Sequence, residues 1–256
     1  MQDLIAILIG FGVGAIVGMT GVGGGSLMTP LMMGVFGLPP AVAIGTDLWF
    51  AGLTKVSGSL AHWRHQHIDN TLLKQLLLGS IPAAIATIAL MHTTGITKAW
   101  GSALTLALGI ALLLTALVVL FRPAWQQVGL RLERWIPQER KGRWTIASGV
   151  LLGVLVSLSS IGAGAIGATL ILLLHPRIDA RRLVGTDIAH AVPLTLVAGI
   201  GHATLGHVNW SMLGILLIGS IPGIWLGAQL TRRMPERLVR GLLCAALLGA
   251  GLKVIH

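Results

Sequence analysis

Apolar residues in this chain come in unbroken runs of about 18 to 25, each long enough to cross a ~30 Å hydrocarbon layer as a helix rising about 1.5 Å per residue. No other feature restricts the fold as strongly. Only 10% of the 256 residues are charged, 54% are hydrophobic, and the mean hydropathy is +0.86. A soluble domain carries about 25% charged residues, so this chain has too little polar surface for a water-facing globule. The runs are continuous rather than alternating, which excludes a β-barrel. The expected fold class is all-α, a polytopic membrane protein. A single cysteine, Cys244, excludes a disulfide framework and any multi-cysteine metal site.

The net charge of +10 does not point to nucleic acid, because the basic residues sit in the gaps between apolar runs. Loops on the cytoplasmic side of a membrane carry that bias. Met1-Gln2-Asp3 has no basic flank and no small-residue cleavage site follows, so the first run is expected to stay as a membrane element. The apolar stretches cover 4–20 and 26–37, 40–61, 71–91, 98–120, 144–159 and 165–174, 183–203, 211–230 and 236–255. Two of these are pairs of short pieces joined by the glycine-rich links GMTGVGGGS (18–26) and SSIGAGA (159–165).

The halves repeat. Shifting the first half by 140 residues lays Gly45-Thr46-Asp47 on Gly185-Thr186-Asp187, His62 on His202, His67-Ile68-Asp69 on His207-Val208-Asn209, and Gly79-Ser80-Ile81-Pro82 on Gly219-Ser220-Ile221-Pro222. With a shift of 139, Val22-Gly23-Gly24-Gly25 meets Ile161-Gly162-Ala163-Gly164. Fused copies of one unit are common in secondary transporters. The expected organisation is a first repeat over 1–121, a basic cytoplasmic linker over 122–143 and a second repeat over 144–256.

Loop charges choose the relative sense of the copies. If each short pair is a re-entrant hairpin followed by three crossings, the basic loops at 62–74, 121–143, 175–182 and 231–237 share one side. The loops at 37–40, 92–97 and 203–210, free of Lys and Arg, share the other. Treating each pair as one broken crossing instead would split the basic loops. The repeats are therefore expected to be inverted, with both termini outside. Trp63, Trp100, Trp135, Trp144 and Trp210 fall near segment ends, where indoles sit at headgroup level, whereas Trp49 and Trp225 read as core. The stretch 122–143 reads as an interfacial amphipathic helix or simply a loop, with the helix preferred.

Asp47 and Asp187 are the carboxylates inside apolar segments, and they share one repeat position. An ionisable group at membrane depth is costly and marks a functional site by default; here they are candidate ion-coupling groups. The alternative is that Thr46-Asp47 and Thr186-Asp187 break or cap a helix. The links offer a second candidate. Gly23, Gly24, Gly25 and Ser26, and Ser160, Gly162 and Gly164, precede short helices whose N-termini carry about half a positive charge and favour anions. Tight helix packing is the competing explanation for glycines, and it is the preferred one for Gly10, Gly12, Gly14 and Gly18. Lys55 lies eight residues after Asp47, so both can face one cavity, and its repeat partner is Thr195. His190, three residues after Asp187, suits either a proton relay or a hydrogen-bonded structural role. His62, His65, His67 and Asp69 make only a weak metal set, and no metal or cofactor is expected.

Taken together, these motifs resemble the TauE/SafE sulfite-exporter family of membrane permeases. The resemblance rests on GxxxGMTGVGGGSLMTP (14–30), AIGTDLWFAGLTKVSG (43–58), H-x4-H-I-D (62–69) and LLLGSIP (76–82), with SLSSIGAGAIGATLILLLHPR (157–177), VGTDIAHAVPLTLVAGIGH (184–202) and LLIGSIPGIWLG (216–227) in the second half. It implies export or exchange of small sulfur-containing or organic anions, such as sulfite or sulfoacetate, across a bacterial cytoplasmic membrane. With no nucleotide-binding motif in the chain, energy would come from a proton, Na⁺ or substrate gradient. The expected partners are a small anion, a coupling proton or Na⁺ and the bilayer. A passive anion channel is the alternative, and an intramembrane enzyme, lacking GxSG and HExxH, a more remote one.

Overall fold

Within the described residues the apolar runs fold as helices, because a chain in hydrocarbon must satisfy its backbone hydrogen bonds within the segment. The computed structural model describes residues 2–20, 25–64, 66–94, 101–230, 241, 244, 245 and 247–252. Gly23, Gly24, His65 and Trp100 lie outside the described residues, as do the side chains of Ser26 and His62. In chain order the elements are α1 (Gln2–Thr20), α2 (Gly25–Phe36), α3 (Pro40–Arg64), α4 (Asn70–Thr94), α5 (Gly101–Leu120), α6 (Arg122–Leu132), α7 (Gln138–Ser159), α8 (Ala165–Leu174), α9 (Ala180–Thr204) and α10 (Trp210–Leu230). Residues 247–252 are also helical. Among the described residues, five helices are long and apolar enough to cross a bilayer, or six if α5 and α6 form one span bent by 86°.

The linker divides where its sequence changes character. Pro123 opens α6 as an amphipathic helix, in line with the interfacial reading of this stretch. The remainder differs from expectation. Residues 138–143 are the first turns of α7, not loop, because Pro137 caps the helix and nothing after it breaks the backbone. Lys141, read from sequence as a loop cation, is consequently buried against Glu133.

The short helices α2 and α8, with 12 and 10 residues, reach about 18 and 15 Å, roughly half the hydrocarbon thickness. The α7–α8 pair folds back on itself. His175, at the end of α8, hydrogen-bonds Thr145 near the start of α7 (Nε2 to Oγ1, 3.1 Å). The carbonyl of Pro176 accepts from Gln126 Nε2 at 3.2 Å, and Arg177 donates to Glu133 at 3.0 Å. The chain therefore leaves α8 at the end where it came into α7.

The largest helix pairings are α1 with α10 and α4 with α7, and glycines close both. A Cβ at Gly149 or Gly153 of α7 would collide with the carbonyls of Leu76 and Ser80 on α4. At the matching positions, a Cβ at Gly10 or Gly14 of α1 would collide with those of Leu216 and Ser220 on α10. Small residues at these crossings let the backbones touch, which is how helices associate in lipid. Gly12 departs from its expected packing role: nothing lies within 4 Å of a Cβ there, and it lines an apolar groove with Val13, Pro30 and Ala250. It points away from the α1–α10 crossing that Gly10 and Gly14 close. Trp225, read as core, is 74% exposed on α10. It lies five residues from the end of that helix, where an indole can sit at the bilayer edge.

Candidate functional site

The centre of the molecule is built by α3 and α9, which carry the repeated Gly-Thr-Asp. Both helices run unbroken through that motif, so it does not break or cap either one. Its residues act tertiarily. Thr46 Oγ1 accepts from the backbone N–H of Asn209, and Thr186 Oγ1 accepts from that of Asp69, each at 2.9 Å. Asp69 and Asn209 in turn cap α4 and α10, accepting from Leu72 and Met212 N–H groups at 3.0 Å. The repeated His-x-Asp/Asn and Gly-Thr-Asp motifs are thus two halves of one docking contact, made twice. Asp69 is engaged as a cap of α4. Gly45 is required by the same contact, since a Cβ there would collide with the His207 carbonyl.

Asp47 and Asp187 point inward and are 0% and 3% exposed. Each meets the short helix of its own half. Thr29 of α2 donates its hydroxyl to Asp47 Oδ2, and the Asp187 carboxylate lies so close to Gly167 of α8 that a Cβ there would strike it. Lys55, about two turns further along α3, donates from Nζ to the carbonyl of Ala163 at 2.7 Å. Its ammonium lies within electrostatic reach of both Asp187 and Asp47. The expected Asp47–Lys55 neighbourhood is present, but the direct partner of the lysine is the second glycine link.

That link owes its shape to backbone freedom. Ser160 caps α7 in the left-handed region at φ 59°, and Gly162 and Gly164 adopt φ 119° and 142°, values that L side chains rarely allow. The turn aims the Ala163 carbonyl at Lys55 and starts α8 behind it. Ser160 lies beside the Asp47 carboxylate. Gly25 opens α2 in the first half, while Gly23 and Gly24 fall outside the described residues.

His190 does not pair with Asp187. Its Nε2 meets Ser80 Oγ of the other half at 2.9 Å, and the ring lies close enough to Lys55 to feel its charge. The position matching His190 is Phe50, and that matching Lys55 is Thr195, all four buried. Each half therefore supplies one basic side chain that the other lacks. Thr29 and Ser80 were missed in the sequence; the repeated GSIP was the one available signal for Ser80. Asp47 Oδ1, Ser157 Oγ, Ser160 Oγ and His190 Nδ1 are buried with no hydrogen-bond partner among the described residues. Leaving such a group unsatisfied costs about 1–3 kcal/mol, so these atoms suit a polar ligand or water.

At the basic end, a cleft of about 640 Å³ is lined by Asp69, Glu133, Lys141, His175, Arg177 and Arg182, among others. The hydrogen bond from Lys141, seconded by Arg177 and partly opposed by desolvation, holds Glu133 below its ordinary carboxylate range. Burial, with help from Lys141, pushes His175 down.

The model of the family described as Sulfite exporter TauE/SafE matches residues 6–254. The probable membrane transporter protein YjnA of Bacillus subtilis (strain 168) is 40% identical over 252 residues, 97% of this chain and 98% of its own. YdhB of the same organism, also a probable membrane transporter protein, is 27% identical over 98% of this chain and 100% of its own. MJ0441 of Methanocaldococcus jannaschii, named likewise, is 26% identical over 95% and 91%. No solved structure matches significantly. A match over nearly the whole length, on a bundle of apolar helices with a buried polar centre, settles the family: this chain is a multi-pass membrane protein and belongs to the sulfite exporter TauE/SafE family.

Proposed function

We propose that the chain is a secondary transporter that exports small sulfur-containing or organic anions, sulfite and sulfonates among them, across the bacterial cytoplasmic membrane. The single observation carrying this reading is Lys55. A cation 5% exposed, bonded to the Ala163 carbonyl between two carboxylates, is costly in an apolar segment unless it serves a charge. In this reading the anion displaces the Ala163 carbonyl from Lys55 and takes further contacts from Ser160, His190 and the N-terminal turns of α2 and α8, while Thr46 and Thr186, expected from sequence to join it, hold the docking contacts instead. Asp47 and Asp187 take the coupling proton or Na⁺.

The repeats are inverted in this reading, with both termini outside. Support comes from the two docking contacts. Thr186 meets Asp69 beside the basic cleft, whereas Thr46 meets Asn209 beside the 203–210 loop, at the far end of α9. The likeness to proteins named probable membrane transporters supports transport. The test is reconstitution in liposomes with a screen of sulfite, sulfoacetate, thiosulfate, sulfate and simple carboxylates. Saturable, counterflow-stimulated flux that falls in Lys55→Gln is expected. Electrical conductance without counterflow would replace the transporter by a channel, and no flux of any tested anion would refute anion transport.

A further inference from the structure

The anion site leaves His202 and His207 without a role. His202, near the end of α9, is 1% exposed, and its Nε2 meets the Ser157 carbonyl of α7 at 2.9 Å. A carbonyl only accepts, so Nε2 carries the hydrogen and Nδ1 is the bare nitrogen of the neutral ring. The His207 ring stands 5.7 Å away in the loop after α9 and is half-buried. Both Nδ1 atoms are buried with no partner among the described residues. Gly45 lies under the pair, since a Cβ there would come within 3.0 Å of His202 Cβ. Ser157 Oγ, Ser160 Oγ and Asp47 Oδ1 are likewise buried and unpartnered. The two histidines stand at the 203–210 end, His202 meets Ser157 of α7, and Ser160 of the link after α7 lies beside the Asp47 carboxylate.

We propose that His207 and His202 carry protons between the 203–210 end of the molecule and Asp47, through water held by the Ser157 and Ser160 hydroxyls. The proposal rests on the transport reading and names the coupling ion as the proton. Each step moves only a proton: Nδ1 of His202 takes one from the His207 side, the imidazolium releases its Nε2 proton to water at the Ser157 hydroxyl, and exchange of the remaining proton through water restores the Nε2–H tautomer. The titratable group acting on His202 is His207. α7 presents the Ser157 carbonyl to it, α3 the Gly45 backbone, and α4 the apolar Ile88 against neighbouring Gly201. The repeat puts His67 and His62 at the matching positions of the other half.

The test uses proteoliposomes, sulfite as probe and an internal pH dye. Wild-type protein is expected to move sulfite faster under a pH gradient than at equal pH, with protons following. His202→Gln keeps a donor for the Ser157 carbonyl but cannot shuttle a proton, and should lower that ratio roughly tenfold, within the scale of a lost acid–base group. Trp225→Leu, on the exposed face, should keep the wild-type ratio. A wild-type ratio in His202→Gln, or wild-type flux indifferent to the gradient, overturns the proposal. Wild-type vesicles that move none of the tested anions refute the transport reading instead. The path is then judged by deuterium exchange at the histidine C2 positions of the purified protein. Exchange at His202 supports a hydrated path, and a His202 that stays protected while His207 exchanges overturns it.

Discussion

Two glycines on the paired first helices of the halves should respond with opposite sign to the same substitution. In Gly149→Ala the new Cβ meets the Leu76 carbonyl, with the Leu76 carbonyl carbon and Cα at 3.1 and 3.2 Å. All three are backbone atoms, which cannot rotate aside, so α7 and α4 must separate. Overpacking of this kind costs about 1–3 kcal/mol, and the helix-propensity gain of alanine over glycine returns at most about 1 kcal/mol. A backbone neighbour puts the cost at the upper end, leaving about 1–2 kcal/mol net destabilisation. In Gly12→Ala nothing lies within 4 Å, so only the propensity term remains, 0 to about 1 kcal/mol of stabilisation. At about 2–4 °C per kcal/mol, thermal unfolding in detergent, followed by tryptophan fluorescence, should drop by roughly 2–8 °C for Gly149→Ala and hold or rise for Gly12→Ala. Equal shifts of the same sign would refute the assignment of Gly149 to a backbone crossing and of Gly12 to an open groove.

Lys55→Met should lower the unfolding temperature more than Lys55→Gln, because glutamine can still donate to the Ala163 carbonyl; a charged hydrogen bond of this kind is worth about 1.5–3 kcal/mol, and equal stability of both variants with wild type would show that the bond anchors nothing. Ser80→Ala leaves the buried His190 ring without its partner and should cost about 1–2 kcal/mol, the scale of an interhelical hydrogen bond in a membrane, whereas Ser220→Ala, whose hydroxyl makes only a 3.4 Å contact to its own helix, should be close to neutral. Acidification should loosen the α6–α8 contacts in two stages. His175 has a lowered value, so protonation from its ordinary 6.5 downward favours the undocked ring; Glu133 is also held low, so its contribution is present above its ordinary 4.5 and is lost as the pH falls through the folded value. Amide exchange of 126–145 that is unchanged between pH 7 and pH 4, after correction for intrinsic rates, would contradict this. With Cys244 replaced, Arg181→Cys should label from the cytoplasm and Thr204→Cys from outside; labelling of both from one side would sink the inverted topology.

The fold class, the repeat and the two buried carboxylates were legible in the sequence for one reason each. Crossing hydrocarbon demands a long apolar run, duplication leaves motifs in register, and a charge inside such a run is too costly to be incidental. The fold-back of α8 along α7 agrees with the hairpin that loop charge suggested, because lysine and arginine placement reports side rather than packing. Contacts between the halves were out of reach. Nothing in Gly-Thr-Asp or His-Ile-Asp alone says that the threonine of one accepts from the cap of the other. Periodicity placed Lys55 and Asp47 on one face, yet the nearest acceptor to the lysine lies 108 residues away, on a carbonyl turned by two positive-φ glycines.

By itself the sequence determined which segments are long and apolar enough to cross a membrane, that motifs recur in register 140 residues apart, and which ionisable groups fall inside apolar runs, since these depend on composition along the chain. Only the tertiary structure decided which glycines close a crossing and which face a groove, that Trp225 is exposed, that Lys141 is buried, and that His190 answers to Ser80 instead of Asp187. In a bundle whose helices are apolar all round, hydrophobicity marks no buried face. Side-chain partners are then set by backbone contact and the satisfaction of buried polar atoms, and both are properties of helix pairs rather than of any one helix.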